Sequence, residues 1–258
     1  MEKTSVNSIS GVGIIFLATN PSQIFIETKD DRLPIKIFRR GLCPIGGNWI
    51  GEAGKKDQNA WDTFCREVNE ELNFESIVVS TRELRLLGLI PKDSFYRTPR
   101  LSYDYKPNAK ETETFNNLKK FITSVRKPFG DYIITISKEV LDRADPENKH
   151  KGFSGLVSYW LVALPEDYWK QLVNLQNVFG NLSNESISTI TSLKEIVDAK
   201  DVRFAYGHDR PFQDFFLSRG FQLAKKIPLI EGIIHRKVGM PLSSYSKYLD
   251  MYDVRRRP

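Results

Sequence analysis

Between residues 61 and 72 the apolar side chains fall at Trp61, Phe64, Cys65, Val68 and Leu72, the i, i+3, i+4, i+7, i+11 spacing of one face of an α-helix. This stripe constrains the fold more than any other stretch, because a strand would send its members to opposite faces. Asp57 or Asn59 can cap the helix, and Asn73, which tolerates the left-handed conformation, can end it. The residues before it have a different period. Residues 12–18 (VGIIFLA) form a β-branched and aromatic run that stops at Asn20-Pro21, a turn signal, and read as a buried strand. Residues 24–28 follow as its hairpin partner and residues 35–38 as another short strand. Leu42-Cys43-Pro44-Ile45-Gly46-Gly47 then breaks all periodicity before the helix begins.

Downstream, residues 84–90 read as a strand, and residues 91–130 as a long insertion whose one sustained periodic stretch covers 115–125. Residues 132–136 and 156–164 are strand candidates, the second long enough to cross a sheet. Pro165-Glu166-Asp167 opens a helix through Tyr168, Trp169, Leu172 and Leu175; residues 180–188 are polar and loop-like. Residues 193–197 and 211–217 read as further helices, the first with a capping-box pattern in Ser192 and Glu195. Strands mixed with separated helices predict an α+β class in an α/β/α layered arrangement, a mixed sheet flanked by helices. Residues 8–225 read as one domain carrying the insertion at about 91–130, and residues 226–258 as a C-terminal extension.

Charge and cysteine content narrow the setting. The 258 residues carry 38 Lys+Arg against 32 Asp+Glu, a formal charge of +6, and the pI is near 9.1. An anionic partner follows as one expectation, whether nucleotide, nucleic acid or acidic surface; an ordinary solvated surface is the other. Arg255-Arg256-Arg257 reads as a frayed tail. Two cysteines, Cys43 and Cys65, are too few for a disulfide framework and lack zinc-type spacing, so a reducing, cytoplasmic setting is expected. The apolar run at 12–18 is far shorter than the roughly 20 residues of a membrane span. No membrane partner is expected.

On the helix, Glu67, Glu70 and Glu71 stand at i, i+3 and i+4, so at about 100° per residue they share a sector apart from the apolar stripe. Like charges this close repel unless a cation or arginine neutralises them. Oxygen-only clusters suit hard divalent ions, magnesium or manganese above all. A solvated acidic face is the alternative.

Read from Gly46-Gly47 through Arg66-Glu67-Val68-Asn69-Glu70-Glu71-Leu72-Asn73-Phe74, the segment resembles the signature of the Nudix hydrolases, G-x5-E-x7-R-E-U-x-E-E-x-G-U with U aliphatic. The R-E-U-x-E-E half matches residue for residue. The front half departs: the family's first glutamate falls on Gln58, its opening glycine on Glu52 unless the loop is longer, and its late glycine on Asn73. Gly46-Gly47-Asn48-Trp49 looks like the family's glycine loop pushed away from the helix. Glu52 then either supplies a loop carboxylate or is a surface residue. The resemblance implies a Nudix-like fold and a divalent-metal-dependent pyrophosphohydrolase that cleaves a phosphoanhydride in a nucleoside diphosphate linked to a further group. It implies Glu67, Glu70 and Glu71 as ligands of Mg²⁺ or Mn²⁺, with Glu67 and Glu70 also catalytic, and Arg66 as an orienting partner. By the same analogy Glu185, ahead of Ile187-Ser188-Thr189-Ile190, is a further ligand or general base, or else an exposed loop glutamate. Gln58 and Glu52 become candidate substrate contacts.

His208, in Tyr206-Gly207-His208-Asp209-Arg210, is a candidate contact for a ligand phosphate, or an exposed turn histidine. Tyr96, Arg97, Arg100, Tyr103 and Tyr105 mix aromatic and cationic groups suited to a base and phosphates, or form a variable loop. His150 and His235 show no constellation, and no GxxxxGK[ST] loop or zinc-type histidine pair occurs. The partner expected is a nucleotide-type small molecule, with a homodimer and RNA also open. Gln58 and the altered glycine loop keep a second possibility alive, a catalytically reduced Nudix-fold protein that binds a nucleotide or RNA.

Overall fold

The computed structural model of the protein describes residues 8–29, 33, 38–39, 41–50, 57–72, 107–144, 146, 152–179, 182–183, 186–198, 204–221 and 233–238. β1 (Ser8–Leu17) is buried along its whole length, which is why it reads as an unbroken apolar run and not as an alternating one. It pairs in parallel with β6 (Phe153–Leu164), from Ser8 opposite Gly155 to Leu17 opposite Leu164. Its other edge is shared. Ser10 to Gly13 pair antiparallel with β4 (Ile45–Asn48), whereas Ile15 to Leu17 pair with β2 (Asn20–Thr28).

β2 and β4 therefore part at Ile14, and β2 runs on beside β3 (Leu42–Cys43) and β7 (Ile187–Ser192). Pro44 alone separates β3 from β4, so the chain changes strand partner within one residue. On the far side β6 pairs with β5 (Pro128–Ile136), and β5 with β8 (Ile233–Val238). Among the described residues the sheet has eight strands in the order β3-β2-β1-β6-β5-β8, with β4 on β1 and β7 on β2. It is mixed, and the split along β1 is where a cleft forms.

Helices cover both faces. α1 (Ala60–Glu71) starts at Asn59, whose side chain accepts from the N–H groups of Trp61 and Asp62. Trp61, Phe64 and Val68 pack with Ile9 and Ile15 of β1, together with Phe115, Leu118 and Ile122 of α2 (Ala109–Ile122) and Trp169, Leu172 and Phe179 of α4 (Glu166–Phe179). Two glycines bring α1 onto the sheet. A Cβ on Gly11 would stand 1.8 Å from the Ala60 carbonyl oxygen, and one on Gly13 2.3 Å from the Phe64 ring. On the opposite face Val12, Ile14 and Phe16 pack with Leu141 of α3 (Lys138–Ala144), Ile196 of α5 (Leu193–Asp198), and Phe212, Phe215 and Phe216 of α6 (Asp209–Ser218). The result is an α/β/α sandwich of the α+β class. Among the described residues no helix is long and apolar enough to cross a membrane.

Several expectations change. Leu42–Cys43 and Ile45–Asn48, read as a break in periodicity, are short strands, because they complete the two halves of a split sheet edge. Residues 107–130, inside the span read as an insertion, form α2 and the start of β5 and supply Phe115, Leu118 and Ile122 to the core. Ile233–Val238, within the expected C-terminal extension, is an edge strand of the sheet, held to β5 by backbone pairing. Phe38 lies in a helical turn with its side chain buried, while residues 35–37, the strand expected at 84–90 and Asn73 fall outside the described residues.

Candidate active site

A cleft of about 430 Å³ opens where β2 and β4 part. One wall is α1. Arg66, 13% exposed, binds through Nε and Nη2 to the Asp57 carboxylate at 3.1–3.2 Å, through Nη2 to the Asn48 carbonyl oxygen at 2.8 Å, and through Nη1 to Glu67 at 2.7 Å and Glu70 at 2.9 Å. Asp57 is nearly buried, also accepts from the Ile50 N–H, and through its carbonyl accepts from the Trp49 indole N–H. One guanidinium thus ties β4, the start of α1 and two helix carboxylates together. Asn48 is held in turn by the Ser10 hydroxyl, which donates to its Oδ1 at 2.9 Å.

Gly46 and Gly47 are required by the same geometry. Gly46 has φ +143, a conformation that L side chains rarely adopt, and its Cβ would stand 2.2 Å from the Gly11 carbonyl oxygen. A Cβ on Gly47 would stand 2.4 Å from the Glu67 carboxylate carbon, so the bare strand is what lets Glu67 lie against it.

Lys29, Cys43 and Glu71 line the deeper part of the cleft. Glu71 is 1% exposed and Glu27, behind Lys29 at 4.0 Å, is fully buried; the ammonium of Lys29 also donates to Ser186 Oγ at 3.0 Å. Burial works against the charge on Lys29, yet the surrounding Cys43, Glu27 and Glu71 hold its pKa above the usual lysine value. Burial also pushes the Cys43 thiol up to about 12, so it is neutral at pH 7 and the carboxylates are what stabilise the ammonium. The remaining wall includes Val157 and Phe153 of β6 with Tyr206 and His208.

Beside this wall, Asp209 is fully buried in the first turn of α6, and burial raises its pKa from 3.8 to about 7 against the opposing effect of its own and the Arg210 backbone N–H. Between these two values the folded chain holds a proton that the unfolded chain has released, so stability falls as pH rises through the interval and is level above it. The cost at neutral pH is on the order of 4 kcal/mol. Asp209→Asn is therefore expected to raise Tm at pH 8, to do little at pH 4, and to flatten the profile between. Thermal melts across this range check it, and equal gains at both ends would reject a titrating Asp209.

The structure brings Arg66, Glu67, Glu70, Glu71 and His208 to one cleft. Gln58 is exposed, is not part of the cleft lining, and donates its backbone N–H to Asp62, while its neighbour Asp57 makes the contact with Arg66. His208 is no exposed turn residue, being 5% accessible. Glu52, Glu185 and the tyrosine and arginine residues at 96–105 lie outside the described residues. Asp57, Lys29, Cys43 and Tyr206 were not singled out for this role; they come from the loop before α1, the residue that follows β2, β3 and a 3₁₀ turn, with no common period.

The cleft lining opposes three carboxylates, Glu67, Glu70 and Glu71, to two cations, Lys29 and Arg66. The donors are hard oxygens on one wall, and Glu70 is 41% exposed, so by its chemistry the set fits a hard divalent ion. As placed, Glu67 and Glu70 turn to Arg66, and among the described residues no group of three or more His, Cys, Asp or Glu is gathered to hold a metal. No protein-family model, curated protein or solved structure matches the chain.

Proposed function

We propose that the protein is a divalent-metal-dependent pyrophosphohydrolase of Nudix type, acting on a nucleoside diphosphate linked to a further group. The observation that carries this reading is the charge pattern of the cleft. An anionic diphosphate entering it meets three carboxylates against two cations, both already ion-paired, and so needs added positive charge to bind. Glu67, Glu70 and Glu71 would hold Mg²⁺ or Mn²⁺, and the ion would supply that charge together with Lewis-acid and water-activating chemistry. Arg66 fixes the angle at which Glu67 and Glu70 leave the helix, Gly47 leaves room for the Glu67 carboxylate, and Lys29 stabilises the buried charge of Glu71.

The test is a panel of NTPs, ADP-ribose, NADH, dinucleoside polyphosphates and capped RNA, each incubated with the protein and Mg²⁺ or Mn²⁺. Release of a mononucleotide from at least one is expected. A panel with no product under either ion would remove the hydrolase reading.

A second reading is supported by the ion pairs of Glu67 and Glu70 with Arg66 and by the position of Gln58 away from the cleft. It is a nucleotide- or RNA-binding protein that no longer turns its ligand over. Calorimetry with and without Mg²⁺ separates the two: unchanged affinity with no hydrolysis favours the binder, and product formation eliminates it.

A further inference from the structure

The wall that carries Tyr206 and His208 holds its shape at a cost. Tyr206 has φ +49 and ψ 20, and Gly207 has φ +77, so two successive residues take left-handed conformations inside the Ala205–Gly207 turn. Glycine does so freely; a tyrosine there costs on the order of 1 kcal/mol or more and persists only where its surroundings impose it. Here the Tyr206 ring packs on Phe38 at 4.5 Å between centroids. The consequence falls on the next residue, His208, which is buried in the cleft wall.

His208 Nδ1 lies 2.5 Å from the hydroxyl oxygen of Tyr159, and the two rings meet edge to face. Tyr159 is itself rigid, 1% exposed on β6 opposite Val12 of β1, with the Tyr132 ring at 5.2 Å. Among the described residues His208 is the one hydrogen-bond partner of the Tyr159 hydroxyl. A buried hydroxyl that kept its proton from an acceptor would lose on the order of 1–3 kcal/mol, so the hydroxyl donates and Nδ1 accepts. Burial first, with Cys43, Tyr132 and Asp209 adding to it, holds Tyr159 well above its ordinary pKa, so that proton is always present. The imidazole must then be neutral, with its own proton on Nε2.

We infer that His208 is a binding residue for a phosphoryl oxygen of the cleft's ligand, donating from Nε2–H of a neutral imidazole, and that Tyr159 is the positioning residue that selects this tautomer. The ligand class rests on the function proposed above; the tautomer and the polar pair do not. A neutral donor orients an anion without adding a third cation to a cleft where Lys29 and Arg66 already serve carboxylates.

The chain has 3 histidines, so the imidazole signals of ¹⁵N-histidine-labelled protein can be resolved, with His208→Asn assigning the one that matters. In the wild type a two-bond ¹H–¹⁵N spectrum near neutral pH is expected to give the Nε2–H pattern for His208; Tyr159→Phe, which keeps the ring, should give a mixture of tautomers. Titration with ADP, without metal and then with Mg²⁺, should move the His208 Nε2 signal, and His208→Asn should weaken ADP binding about tenfold or more, the range for one hydrogen bond to a charged group. An Nδ1–H pattern in the wild type, or ADP affinity within twofold of wild type in His208→Asn under both conditions, overturns the inference. If His208 responds as expected while the substrate panel yields no product, the hydrolase reading falls and this one stands. If the panel yields product while His208 is silent, the reverse holds.

Discussion

Glu67→Gln is expected to lower turnover on the best substrate by about a hundredfold or more, while shifting stability by less than about 1 kcal/mol. The asymmetry follows from what the residue touches. Its carboxylate is 12% exposed, shares the Nη1 of Arg66 with Glu70, and rests against Gly47. Gln keeps the shape and can still accept from Arg66, whose bonds to Asp57, Asn48 and Glu70 are untouched. On the function proposed above, what Gln removes is the charge that a hard cation would need, since a neutral amide oxygen is a far weaker donor to Mg²⁺ or Mn²⁺. Mn²⁺ affinity, measured by electron paramagnetic resonance on the variant, should therefore fall together with kcat/KM. Retention of both within threefold of wild type would mean that Glu67 is only a partner of Arg66. Glu70→Gln is the internal comparison: at 41% exposure and likewise bound to Arg66, it isolates the charge of the outer residue from that of the inner one.

Apart from His208, the parts of this site that were legible in the sequence share one helix. Glu67, Glu70 and Glu71 follow from a 3.6-residue period whose apolar members, Trp61, Phe64 and Val68, are all buried. The Ser192–Glu195 pair was legible for a similar reason: a capping box is a local pattern, and both of its bonds are present, Glu195 N–H to Ser192 Oγ at 3.2 Å and Ser192 N–H to Glu195 at 2.6 Å. Asp57 was not legible as the partner of Arg66, because nine residues separate them and part of that interval is loop. Counting positions along the family signature led to Gln58, one residue away, whose side chain the start of α1 turns outward. Lys29, Cys43 and His208 meet only after β2, β3 and the turn before α6 have been brought together by long-range strand pairing. Ile233–Val238 was missed because an edge strand owes its place to backbone bonds, which any sequence without proline can make.

Arg66 should decide whether the site exists at all, and its removal carries the largest expected loss of stability. Arg66→Leu leaves Asp57, 5% exposed, with the Ile50 N–H as its remaining described donor, and strips the Asn48 carbonyl oxygen of its contact. Breaking a buried pair by deleting one partner costs about 3–5 kcal/mol, because the stranded charge keeps its desolvation penalty. For a chain of this size that is a Tm decrease on the order of 10 °C, with an unchanged denaturant m-value if the native structure is otherwise kept. Removing the stranded charge as well should give back part of the loss. The double variant Asp57→Asn, Arg66→Leu is expected to be less destabilised than the two single changes added together, by about 1–3 kcal/mol of coupling. Strict additivity, or a cost below about 1 kcal/mol for Arg66→Leu, would show that the pair does not anchor the loop. Arg66→Lys separates charge from shape: a lysine can pair with one carboxylate but cannot span Asp57, the Asn48 carbonyl and Glu70 with one planar fork. It should recover part of the stability of Arg66→Leu while leaving turnover low, since the angle of Glu67 and Glu70, and not the positive charge alone, is what the guanidinium supplies.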